Sequence, residues 1–138
     1  MSDIRPNDCG QPITMPQNVV NVRPQAVNVT TTTLVLGVTY LQGGTDHSVA
    51  VEFNDYVALV EAPIDQARTL AVFDTVRRMY PNKPVKYVVN SPNHFDHLGG
   101  IRTAFHQGAT IITHASNFDF YKNEVLSHDM WTRDPDHL

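Results

Sequence analysis

From Tyr56 onward the sequence alternates short β-branched runs with amphipathic stretches, and this alternation constrains the fold more than any other feature. "YVALVEA" reads as a strand, closed by Pro63, which suits the first turn of a helix. "IDQARTLAVFDTVRRMY" follows, with Ile64, Ala67, Leu70, Ala71 and Val76 broadly on one face at helical spacing, and "PNKP" ends it. "VKYVVN" is a short strand of the buried type. Gly99 to Gln107 reads as a short helix that Gly108 terminates, and "ATIITHA" is the next strand. Ser116, with Asp119 three residues on, reads as a capping box for a helix over "NFDFYKNEVL". The order β-α-β-α-β-α implies right-handed crossovers and a mainly parallel stretch of sheet.

The upstream region adds antiparallel strands. "VNVTTTTLVLGVTYLQ" is rich in β-branched residues, with Leu34, Leu36, Val38 and Tyr40 alternating at period two up to the break at Gly43-Gly44. "SVAVEF" and "YVALVEA" flank the polar turn Asn54-Asp55, a hairpin that sets Val49, Val51 and Phe53 on one face. The sheet is therefore mixed and the class α+β. Residues 1–26, with Pro6, Pro12, Pro16 and Pro24 and no apolar period, read as an irregular arm ahead of a domain over residues 27–138.

The 138 residues suffice for one domain with a core, and the net charge of −4 argues against nucleic acid or an anionic membrane as partner. Cys9 is the single cysteine, so no intramolecular disulfide forms. The first thirty residues hold no apolar stretch of the signal-peptide kind. The expectation is a soluble, cytoplasmic chain, or a periplasmic or secreted one if a leader has been removed. Nucleophile-elbow, phosphate-loop and dinucleotide-binding motifs are all missing.

The chemistry concentrates in "NSPNHFDHLGG", Asn90 to Gly100, directly after a strand whose carboxyl end is where ligands bind in such layers. His94, Asp96 and His97 are an imidazole, a carboxylate and a second imidazole, suited to zinc or a similar ion. Gly99-Gly100 lets the following helix approach closely. The same residues also fit a polar loop with Asp96 as a helix cap and two exposed histidines, and spacing alone does not separate the two readings.

"YVVNSPNHFDHLGG" resembles the H-x-H-x-D-H signature and glycine turn of the metallo-β-lactamase-fold hydrolases. The resemblance extends through "GGTDHSVAVEFNDYVALVEAP", "PNKPVKYVVN" and "GGIRTAFHQGATIITHASN", about residues 27–125. It implies half of an αββα sandwich, the amino-terminal half, as a mixed β-sheet with helices packed on it. It also implies Zn2+ held by His94, Asp96 and His97, one or two ions in the family, with Asp96 helping to orient a metal-activated water against an ester, thioester, lactone or amide. The first histidine of the signature falls on Pro92, which has no ligating side chain. The further ligands of the family lie in a second half of the fold, beyond the residues that Leu138 closes. A second class of function thus stands beside the hydrolase: a catalytically inactive fragment acting as a binding or assembly module.

Other residues carry weaker expectations. His114, at a strand end, is read as a surface residue or a stray ligand, and His47 as part of a solvated loop. His106, His128 and His137 are read as surface residues. Glu61 is either an acceptor behind the metal ligands or, preferred here, a hydrogen bond fixing the Pro63 turn. Phe118, Phe120 and Tyr121 form an aromatic cluster read as core, or in part as an exposed patch. Expected partners are a small-molecule substrate and either a second copy of the chain or a carboxy-terminal half.

Overall fold

The computed structural model describes residues 26–91 and 94–126. The amino-terminal arm up to residue 25, Pro92, His128 and His137 lie outside the described residues. Six strands form one sheet in sequential order: β1 (Thr30–Val35), β2 (Val38–Gln42), β3 (His47–Glu52), β4 (Val57–Val60), β5 (Val85–Val89) and β6 (Thr110–Ile112). The first four are an antiparallel meander; β4, β5 and β6 are parallel. Helix α1 (Gln66–Met79) crosses from β4 to β5. Two short helices, α2 (Phe95–Leu98) and α3 (Ile101–His106), cross from β5 to β6. The mixed sheet expected from the sequence is present.

One face of the sheet is the core. Leu41, Ala50, Val57, Leu59 and Val88 pack there with Val72, Phe73 and Val76 of α1 and Ile101 and Ala104 of α3, all buried. The opposite face carries two rows fixed by strand register, Tyr40–Val49–Val60–Val89–Ile112 and Val38–Val51–Ala58–Tyr87–Thr110. These residues are only half-buried or exposed, because every described helix sends its buried residues to the first face.

Several local expectations are corrected. The run read as one strand is a hairpin: Gly37 takes φ +75°, where a side chain is costly, and turns β1 back onto β2. Leu34 and Leu36 consequently lie on the surface, Leu36 almost fully exposed. The β3–β4 hairpin is as expected, and Val49 and Val51 do share a face, the half-buried one; the core side of β3 is Ser48 and Ala50, and Phe53, past the end of the strand, is exposed.

Helix α1 is rotated from the expected face. It buries Arg68, Thr69, Val72, Phe73, Thr75 and Val76, whereas Ile64 precedes the helix and Ala67 is exposed. Two interactions set the rotation. Asp65 caps the helix, its carboxylate accepting from Arg68 N at 2.8 Å. The Arg68 guanidinium is buried beneath the β2–β3 loop, donating from Nε to Gly43 O at 2.7 Å and from the neighbouring nitrogen to Ser48 Oγ at 3.0 Å. Burial lowers the Arg68 pKa, and the charges of Asp46 and Asp65 oppose that shift.

The segment after β6 is not the single capped helix expected. His114 Nδ1 lies 2.7 Å from Ser116 Oγ and accepts from Ser116 N at 3.2 Å, so the histidine caps and Ser116 does not. A 3-10 turn (Ala115–Asn117), a three-residue helical turn α4 (Phe118–Phe120) and a π-turn (Tyr121–Val125) follow in succession. Tyr121 and Val125 join the core, while Phe118 and Phe120 remain exposed.

Candidate metal centre

Strands β4 and β5 are parallel and paired Val60 to Val89, so their carboxyl ends open side by side. Glu61 and Asn90 are the next residues on each, and Glu61 N donates to Val89 O at 2.9 Å. Glu61 and Ile64 take φ of +67° and +72°, left-handed values that cost a branched or bulky residue about 1–2 kcal/mol each. Such strain persists only where its surroundings hold it, and here the surroundings are the motif.

The motif forms a helical turn, not an open loop. His94 O accepts from His97 N at 3.0 Å and from Leu98 N at 3.2 Å. This turn is docked on the strained segment: Ile64 N donates to Asp96 O at 3.0 Å, and Gly100 N donates to Ala62 O at 2.9 Å. A Cβ on Gly99 would stand 2.0 Å from Ile64 O, and one on Gly100 1.8 Å from Thr69 Oγ1. The glycine pair thus permits the close approach expected from the sequence.

Within the turn, Asp96 Oδ2 and His97 Nε2 are 3.8 Å apart, both partly open to solvent. Two ligands on one tetrahedral zinc at about 2.0–2.1 Å stand roughly 3.4 Å apart, so this pair is within a small side-chain movement of sharing an ion. His94 is exposed and precedes the turn, and no group of three ligating side chains occurs among the described residues. The donor chemistry and spacing of Asp96 and His97 fit a metal ion, and among the described residues they are a pair close enough to share one.

Behind His97 stands Glu61. Its Oε2 lies 3.4 Å from His97 Nδ1 and accepts from Asn90 Nδ2 at 2.6 Å. Its Oε1 accepts from Ser91 N at 3.1 Å and Ser91 Oγ at 2.5 Å. The preferred expectation, that Glu61 serves the Pro63 turn, is corrected: its carboxylate is spent on the motif strand and its histidine. Asn90, 1% exposed, also donates to His97 O at 3.0 Å and accepts from Tyr121 OH. Burial raises the Tyr121 pKa; a hydrogen bond with Thr113 opposes the shift, and the Glu61 charge adds to it.

The network continues upstream. Ser48 Oγ donates to Glu61 O at 2.8 Å and receives Arg68, tying the β2–β3 loop to the same strand end. His47 opens β3 with its ring 5.0 Å from that of Tyr40 and its Nδ1 buried, so it is not the solvated residue expected. Sequence reading assigned no role to Asn90, Ser91 or Arg68. The detectable signal for Asn90 was a polar residue ending a strand of the buried type.

An apolar pocket of about 270 Å³ lies between β6 and the last described turns, lined by Ile111, Thr113, Phe118, Tyr121, Lys122 and Leu126.

No protein-family model and no curated protein matches the chain. Solved structures do. The metallo-β-lactamase FIM-1 from Pseudomonas aeruginosa, in its mono-zinc form, is 24% identical over 72% of this chain and 48% of its own, with a TM-score of 0.60. A metallo-β-lactamase from Pontibacter korlensis is 19% identical over 72% of this chain and 50% of its own, with the same score. One from Hirschia baltica is 19% identical over 65% and 45%, with a TM-score of 0.58. The chain therefore has the metallo-β-lactamase fold and spans about half the length of the structures it matches.

Proposed function

We propose that this chain is the amino-terminal portion of a metal-dependent hydrolase, with Asp96 and His97 as ligands of a zinc ion. The observation that carries this reading is the Asp96–His97 pair, 3.8 Å apart on a turn at the carboxyl end of β5, with a carboxylate facing the other nitrogen of His97. Zinc bound there would polarise a carbonyl and supply hydroxide near neutral pH. The chain's own part is to hold that position. Glu61 orients His97, the backbone of residues 62–64 fixes the turn, and Asp96 is the carboxylate available to orient water beside the metal. His94, exposed ahead of the turn, is the third residue that this reading assigns to holding the metal. The substrate class is an ester, thioester, lactone or amide.

The half-buried rows of the second sheet face favour a covering layer, either a carboxy-terminal half or a second copy of the chain. Light scattering of the purified chain distinguishes them, since a monomer at working concentration removes the second.

A different reading, an inactive binding or assembly module, draws on the two-ligand shell among the described residues. Zinc-dependent turnover of a panel of the four carbonyl classes separates the two. Turnover abolished by Asp96→Ala supports the hydrolase. A parent chain inert on the whole panel, alone and joined to a carboxy-terminal half of the fold, supports the module.

A further inference from the structure

We propose that Asn90 is the positioning residue of this centre, holding His97 at both ends and thereby selecting the ring nitrogen that faces outward. The inference builds on the reading of His97 as a ligand.

The Asn90 amide has two N–H donors and both are used. One goes to Glu61 Oε2 at 2.6 Å, the other to His97 O at 3.0 Å. Its oxygen accepts from Tyr121 OH, so the amide has one sense: flipped, its oxygen would meet a carboxylate and a carbonyl. At 1% exposure, water replaces none of these partners. Ser91 occupies Glu61 Oε1 through its N–H and hydroxyl, which leaves Oε2 to Asn90 and to His97 Nδ1 at 3.4 Å. Glu61 Oε2 stands 3.4 Å from Nδ1, nearer than Asp96 Oδ2 at 3.8 Å from Nε2, which favours the proton of neutral His97 on Nδ1. The lone pair is then on Nε2, the nitrogen on the side of Asp96. Carboxylates behind ligating histidines act in this way on orientation and basicity. Here one buried amide fixes the carboxylate and the histidine backbone together, and through Tyr121 ties both to the π-turn that follows β6.

The test uses the full chain, its metal-free form and two near-isosteric variants. Asn90→Asp removes both donors and keeps an oxygen for Tyr121. Glu61→Gln leaves Asn90 intact and removes the charge facing His97. The first readout is the nitrogen NMR signature of the His97 ring in metal-free protein, at a pH well above the ordinary imidazole range. The second is zinc affinity by calorimetry. The parent is expected to show the Nδ1–H tautomer. Both variants are expected to shift it toward Nε2–H or a mixture and to weaken zinc binding by about 10–100-fold. A purely structural role would lower the unfolding midpoint and leave the tautomer where it was. Should Asn90→Asp not fold, Asn90→Ser, which also lacks the two amide donors, takes its place. An unchanged tautomer in the folded variants overturns the proposal. A parent that binds no zinc but whose tautomer responds retains Asn90 as positioning residue and removes the metal reading instead.

Discussion

Replacing Gly99 with alanine is expected to damage this fold far more than its surface position suggests. The added Cβ would stand 2.0 Å from Ile64 O and 2.7 Å from Ile64 C, while carbon and carbonyl oxygen tolerate about 3.3 Å, so one side must retreat by roughly 1.3 Å. Neither side is free to move. Ile64 is already at φ +72°, and its N–H is bound to Asp96 O; Gly100 N is bound to Ala62 O across the same contact. Overpacking costs about 1–3 kcal/mol, and losing the two hydrogen bonds adds about 1 kcal/mol each, so the expected loss is about 4 kcal/mol. Gly108→Ala is the control. It has nothing within 4 Å and only its φ of +88° to strain, a cost of about 1–2 kcal/mol. Both substitutions stiffen the unfolded chain equally, so that contribution cancels in the comparison. In urea unfolding, with a slope of about 2 kcal/mol per molar, Gly99→Ala should lower the midpoint by about 2 M and Gly108→Ala by less than about 1 M. A Gly99→Ala midpoint equal to or above that of Gly108→Ala would refute the close docking of the motif turn.

Arg68→Leu should cost about 2–4 kcal/mol in the same assay, because Gly43 O and Ser48 Oγ lose a buried donor; a change within about 0.5 kcal/mol would show that the guanidinium is not needed there. Tyr121 has a pKa raised by burial above its ordinary 10.0, so its contribution to stability is complete below that value and lost as pH climbs through the raised one. The parent should therefore lose more stability than Tyr121→Phe as pH rises above about 10, and equal losses would remove this assignment. Pro92→His, which restores the first histidine of the family signature, should strengthen zinc binding; unchanged affinity on calorimetry would mean that the residue matching at Pro92 fails.

What the sequence disclosed follows from what periodicity measures. Alternating elements and β-branched runs gave the mixed sheet and the parallel end of it, since strand order there follows from crossover handedness. Periodicity does not reveal which side of a two-sided strand is covered. Val49 and Val51 are as apolar as a core row, yet the row under the helices is Ser48 and Ala50, with Ser48 buried because Arg68 and Glu61 O bind its hydroxyl. The same buried arginine rotated α1, and no hydrophobicity pattern assigns an arginine to a core. At the site, His94, Asp96 and His97 were visible as ligand chemistry. Their supports were not, because Glu61 and Asn90 are 29 residues apart and meet only through the pairing of β4 with β5.

The central claim is that Asp96 and His97 share a metal, and the most direct measurement is the zinc stoichiometry of the purified chain titrated with zinc, alongside His97→Ala and Asp96→Ala. The account gives saturable binding of zinc by the parent, lost or weakened at least about tenfold in each variant. Zinc binding that is absent from the parent, or equal in parent and variants, would contradict it.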